Sequence, residues 1–210
     1  MNLAYRVNLY RRYFHWKKAN AIFIHVPKVA GTSINKALYG RTLGHYRAIE
    51  IANSFPRLFE QAFTFSLVRN PWSRVFSAYQ FARMGQTESM GIANPKQYQL
   101  PEFETFERFV LEWLKYQDIK QLDFVFQPQY HFLTDIQGKL MINHIGKLES
   151  LDTELPLIEE NLKRKLSVSH QNKTNQGESF QAQYSNDAMI ETIAELYSKD
   201  ITLFGYQFND

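Results

Sequence analysis

The chain has 210 residues, enough for one domain with a sizeable core and hardly enough for two. It has no cysteine, which excludes disulfides, cysteine-held zinc, iron–sulfur clusters and a thiolate nucleophile. The formal net charge of +3 admits an anionic ligand but falls short of a nucleic-acid signature, so no nucleic-acid partner is expected.

Residues 1–20 are basic and aromatic, with Arg6, Arg11, Arg12, Lys17 and Lys18. They hold no uninterrupted apolar stretch and no small-residue cleavage site, so neither a signal peptide nor a membrane span is expected. The segment is expected to pack on its own domain. Contact with a lipid surface is the alternative. Ala21–Val26 (AIFIHV), bounded by Asn20 and Pro27, predicts a buried strand. After PKVAGTS, the spacing of Ile34, Ala37 and Leu38 predicts a helix. Ala62–Val68 (AFTFSLV) predicts a second strand. It stops at Arg69-Asn70-Pro71, and Pro71 suits the first position of a helix that turns Val75, Phe76, Ala78, Tyr79 and Ala82 inward. Residues 85–101 read as a loop. Phe103, Phe106, Val110 and Trp113-Leu114 recur at helical spacing. A third strand is expected near 140–148, a helix over Asp152–Leu166, a polar loop over 167–186, and a last helix carrying Ile190, Ile193, Ala194 and Tyr197. Without repeats or long linkers, the pattern predicts a single α/β domain over 1–210. Its mostly parallel central sheet would be flanked by helices.

Chemistry concentrates at two strand-to-helix junctions. The first is Pro27-Lys28-Val29-Ala30-Gly31-Thr32-Ser33. Backbone N–H groups at a helix N-terminus lack internal partners, and the helix dipole favours an anion there. Gly31 permits close backbone approach, Thr32 and Ser33 add hydroxyls, and Lys28 adds a mobile charge. The order differs from a Walker A loop, because the lysine precedes the glycine. A plain structural turn is the competing reading. At the second junction, Arg69 ends a strand and Ser77 lies eight residues on. Arginine binds phosphate through a planar fork, and a nearby hydroxyl can take a third oxygen. An ordinary surface ion pair is the alternative here.

Together PKVAGTS and RNPWSRVFSAY resemble two motifs of the sulfotransferase superfamily that uses 3′-phosphoadenosine 5′-phosphosulfate (PAPS) and releases 3′-phosphoadenosine 5′-phosphate (PAP). The nearest resemblance is to the carbohydrate branch, which includes heparan sulfate 2-O-sulfotransferase and bacterial relatives. Weaker similarity runs through GHYRAIE, QPQYHFLTD, GKLESLD, SHQNKTN and FGYQF. The resemblance implies a P-loop-like strand–loop–helix in which Lys28, Ala30, Gly31, Thr32 and Ser33 hold the 5′-phosphosulfate. Arg69 and Ser77 would hold the 3′-phosphate, and Lys173 with Thr174 would cover the donor's phosphates. Lys28 would neutralise charge on the leaving phosphate. His45, in a Gly-His segment like that of the 2-O-sulfotransferases, would be the general base. His131 would lie on the acceptor side as second candidate, and Glu50 stays in reserve. His25 reads as a core histidine. The resemblance implies no metal, a saccharide acceptor, and, without the anchor and cysteine pairs of Golgi relatives, a cytoplasmic bacterial enzyme. Two rival classes remain at this point. A P-loop kinase or NTPase would need a GK[ST] triplet and an acidic magnesium ligand. A non-catalytic polyanion binder would rest on the basic N-terminus.

Overall fold

Three short runs pair side by side as parallel strands: β1 (Ala21–Ile24), β2 (Phe63–Val68) and β3 (His144–Lys147), in the order β1-β2-β3. The structure is a computed structural model and describes residues 3–85, 91–92, 94–168 and 179–210. In chain order the helices are α1 (Leu3–Tyr10), α2 (Tyr13–Ala19), α3 (Gly31–Tyr39), α4 (Ala48–Ser54), α5 (Pro56–Gln61), α6 (Pro71–Met84), α7 (Phe106–Arg108), α8 (Tyr130–Leu133), α9 (Leu151–Leu162), α10 (Asp187–Leu196) and α11 (Ser198–Phe204). The fold is α/β, a parallel sheet flanked by helices, as expected.

The chain divides into two compact units. The first comprises Met1–Val68 and Gln129–Lys173, the second Arg69–Pro128 and Thr174–Asp210. The sheet belongs to the first. Central strand β2 (FTFSLV) is buried from Thr64 to Val68, so its two polar residues, Thr64 and Ser66, lie inside with the apolar ones. Its polar side chains find partners. The Ser66 hydroxyl donates to the Ile24 carbonyl at 2.7 Å, and the Thr64 hydroxyl donates to Asn143 Oδ1 at 2.7 Å. β1 is an edge strand, and Tyr39 of α3 satisfies that edge. The Phe23 N–H donates to the Tyr39 hydroxyl at 2.8 Å. α2 packs on β1 and α9 on β3. A Cβ at Gly146 would press on Leu67 and Glu154, so the glycine lets α9 approach closely. His144 Nε2–H donates to Glu154 Oε2 at 3.0 Å across the same contact.

The third strand is shorter than expected. Residues before it fold into a turn in which Asp135 Oδ1 accepts from Gln137 and Lys139 N–H, and Thr134 bridges Leu140. α4 and α5, just before β2, were not anticipated. Their residues lack a long apolar period, and packing rather than pattern makes them helical.

The second unit is built on aromatic rings. Phe109 stacks on Trp113 at 5.4 Å, Phe103 meets Trp113 at 4.9 Å and Phe109 at 5.0 Å, and Tyr79 meets Phe109 at 5.1 Å. The helix expected over 103–114 is instead α7, a π-helical turn (Phe109–Trp113) and a 3₁₀ turn (Leu114–Tyr116). The wide π turn is where Phe109 and Trp113 stack, and ring packing overrides the regular helix. α6 carries Arg74, fully buried, whose guanidinium donates to the carbonyls of Val125 at 3.2 Å and Gln127 at 2.6 Å and faces the Tyr197 ring at 5.6 Å. Burial pushes its pKa down, although arginine stays charged.

Candidate active site

The loop 27–33 leaves β1 and opens α3 in a strained form. Lys28 (φ 70°) and Ala30 (φ 58°) both occupy the left-handed region that favours glycine. Each such residue costs about 1–2 kcal/mol, so the surrounding fold must impose the shape. Ala30 stands at the N-cap of α3, and no side chain caps the helix among the described residues. Gly31 is required for a local reason. A Cβ there would run into the His25 imidazole. The need is for room against His25, a constraint that the motif PKVAGTS does not announce.

His25, at the end of β1, is buried and its Nδ1 has no hydrogen-bond partner among the described residues. Burial first, and the neighbouring His45 second, hold its pKa well below the ordinary histidine value, so the ring is neutral at pH 7. The His45 ring lies 4.1 Å from it.

His45 is placed by backbone contacts. Asn35 of α3 accepts from the Leu43 N–H through Oδ1 at 3.3 Å and donates through Nδ2 to the Gly31 carbonyl at 2.9 Å. Arg12 Nε donates to the Leu43 carbonyl at 2.9 Å. Leu43 is thus held from both sides, and Gly44 (φ 97°) turns the chain in a conformation that suits only glycine. His45 Nδ1–H then donates to the His25 carbonyl at 2.7 Å. A carbonyl only accepts, so this bond fixes the proton on Nδ1 and makes Nε2 the nitrogen that carries the lone pair in the neutral ring. The side chain is half-buried. Glu50 is poorly suited to that role, because its Oε2 accepts from the Arg47 N–H and from the Tyr5 hydroxyl, both at 2.8 Å. His131 sits on α8, which packs against α4, the helix that follows the His45 turn.

The second junction belongs to the other unit. Asn70 Oδ1 caps α6 by accepting from Trp72 N–H at 3.0 Å and Ser73 N–H at 3.4 Å, while its Nδ2 donates to the Gln207 carbonyl at 2.8 Å. Arg69 Nε donates to the Ser73 hydroxyl at 2.9 Å, which orients the guanidinium. Ser77 lies one turn further along α6, largely buried. Lys28, Ala30, Gly31, Thr32, Ser33, His45 and His131 therefore sit in the first unit, and Arg69 and Ser77 in the second. Lys173 and Thr174 lie outside the described residues.

Asn35, Ser73 and the His25 carbonyl were missed by sequence reasoning. Asn35 stands four residues after Gly31 and Ser73 four after Arg69, and that helical spacing was the available signal. The carbonyl had none, since any residue supplies one. A model of the family described as Sulfotransferase family matches residues 11–207. No curated protein and no solved structure matches the chain.

Proposed function

The chain belongs to the sulfotransferase family, and from that premise we propose that it moves a sulfuryl group from PAPS to an acceptor hydroxyl on a saccharide, with His45 as general base. The match runs through both units, which supports reading 1–210 as one sulfotransferase domain. The first junction suits an anionic group. An uncapped helix N-terminus, two left-handed residues and Lys28 present positive potential where a phosphosulfate would be held. In this reading Lys28, Ala30, Gly31, Thr32 and Ser33 take the 5′ end of the donor, and Arg69, oriented by Ser73, takes the 3′-phosphate with Ser77.

The donor supplies an activated sulfuryl group whose leaving group is a phosphate. The proton of the acceptor hydroxyl passes to His45 Nε2, and the Lys28 ammonium offsets the negative charge left on the 5′-phosphate oxygen. The His25 carbonyl keeps His45 in the tautomer that can accept that proton, and the neutral His25 ring adds no charge that would oppose it. The observation that carries the proposal is the 2.7 Å bond that holds the proton of His45 on Nδ1, so that Nε2 is the nitrogen with the lone pair.

His45→Ala tests it. Turnover of labelled PAPS should fall about 10²–10⁴-fold, while PAP affinity measured by calorimetry stays at the wild-type value. Wild-type turnover would remove His45 as the base and bring His131 forward.

A further inference from the structure

The N-terminal helices α1 and α2 carry a second surface that the reaction does not use. On α1, Leu9 is buried and Tyr5 donates to Glu50, which anchors one side of the helix to its unit. That turns Leu3, Val7 and Tyr10, spaced i, i+4, i+7, outward. Their relative exposures are 78%, 44% and 51%, even though the Tyr10 ring keeps an edge contact with Phe55. On α2, Trp16 is buried and Phe14 is 75% exposed. Large side chains this exposed, on consecutive helices, are more than the scattered apolar residues of an ordinary surface.

The charges that the two helices and the turn between them carry are of one sign. Arg6, Arg11, Lys17 and Lys18 are all exposed and form no ion pair among the described residues. Neither helix contains an aspartate or glutamate. Arg12 differs, since its side chain is engaged with the Leu43 carbonyl. A protein partner with an apolar face would meet four uncompensated cations. An anionic bilayer offers both complements at once, phosphate headgroups for the cations and acyl chains for the apolar side chains.

We propose that α1 and α2 form a peripheral docking surface for anionic lipid bilayers, with Leu3, Val7, Tyr10 and Phe14 entering the interface and Arg6, Arg11, Lys17 and Lys18 meeting the headgroups. No helix among the described residues is long and apolar enough to cross a membrane, so the contact is one of lying on the surface. Packing on the domain and lipid contact stood as alternatives for this segment. The two faces of the helices do both.

The test is sedimentation of the full chain with vesicles, either of phosphatidylcholine alone or of phosphatidylcholine mixed with phosphatidylglycerol. The protein should pellet with the mixed vesicles and stay in solution with the neutral ones, and high salt should weaken the binding. Leu3→Ser with Phe14→Ser should lower the partition coefficient about tenfold or more with an unchanged circular dichroism spectrum, and Arg11→Glu with Lys18→Glu should lower it as well. No pelleting with anionic vesicles overturns the proposal. So does undiminished binding of Leu3→Ser/Phe14→Ser, which would mark adsorption by charge alone. A concentration-dependent doubling of mass in light scattering that the same double variant abolishes would assign the face to a second copy and overturn it too. None of these readouts depends on sulfuryl transfer.

Discussion

The junction at residues 24–33 and the junction at 68–77 both run from strand to helix, yet they dispose of their backbone donors in opposite ways. In the second, Asn70 takes the N–H groups of Trp72 and Ser73 on its side chain, and its carbonyl takes that of Arg74 at 2.8 Å. The first turn of α6 is satisfied from within, and in the proposed reading recognition there would rest on side chains, chiefly Arg69. In the first, no side chain caps α3 among the described residues, and Lys28 and Ala30 are held in the left-handed region. In the proposed reading the helix dipole and the strained backbone of this turn act on the donor's 5′ end. The difference teaches that like-ordered motifs can be built differently: a strained helix start without a side-chain cap in one case, and a capped helix carrying an oriented guanidinium in the other. If both hold the donor as proposed, they read its anions by different chemistry.

The comparison breaks most sharply under substitution of the two cations. If Lys28 stabilises charge in the transition state as proposed, Lys28→Ala should lower kcat for sulfuryl transfer about 10²–10³-fold with a small change in PAP affinity. If Arg69 is a ground-state contact to the 3′-phosphate, the loss in Arg69→Ala should appear as a raised Kd for PAP in calorimetry. Matching effects of both variants on kcat alone would show that the two junctions do the same work.

Gly31→Ala sharpens the account of the first junction. The new Cβ meets the His25 ring, so chemical denaturation should show a loss of about 1–3 kcal/mol. In a His25→Ala background the same change should cost much less, and additivity within about 0.5 kcal/mol would break the link between the two residues. At the second junction Asn70→Ala should destabilise by about 1–2 kcal/mol in the same assay, because it deletes a cap and the tie to Gln207. No loss would mean that α6 is held by its packing alone.

The parts legible in the sequence were those in which one residue's chemistry decides. β1 and β2 were readable because they are short runs rich in apolar residues between turn residues, and the start of α6 because Asn70 and Pro71 stand at its head. The stretch after Phe103 was not. Its apolar spacing fits an α-helix, while the mutual stacking of Phe103, Phe109 and Trp113 draws in a π turn that no local pattern encodes. α4 and α5 were missed because short helices take their stability from what they pack against. In the candidate site, Lys28 and His45 stood out by type and motif. What fixes His45, the Leu43 backbone held by Asn35 and Arg12 and the carbonyl of His25, is made of backbone groups brought together from distant parts of the chain.

The most direct test of the donor assignment is thermal unfolding of the wild-type protein with PAP and, separately, with adenosine 5′-phosphate. At about 100 times its Kd, PAP should add roughly 2.7 kcal/mol of stability, and the nucleotide lacking the 3′-phosphate should add little at the same concentration. Equal stabilisation by the two would contradict the reading of Arg69 and Ser77 as a 3′-phosphate site, and with it the choice of PAPS as donor.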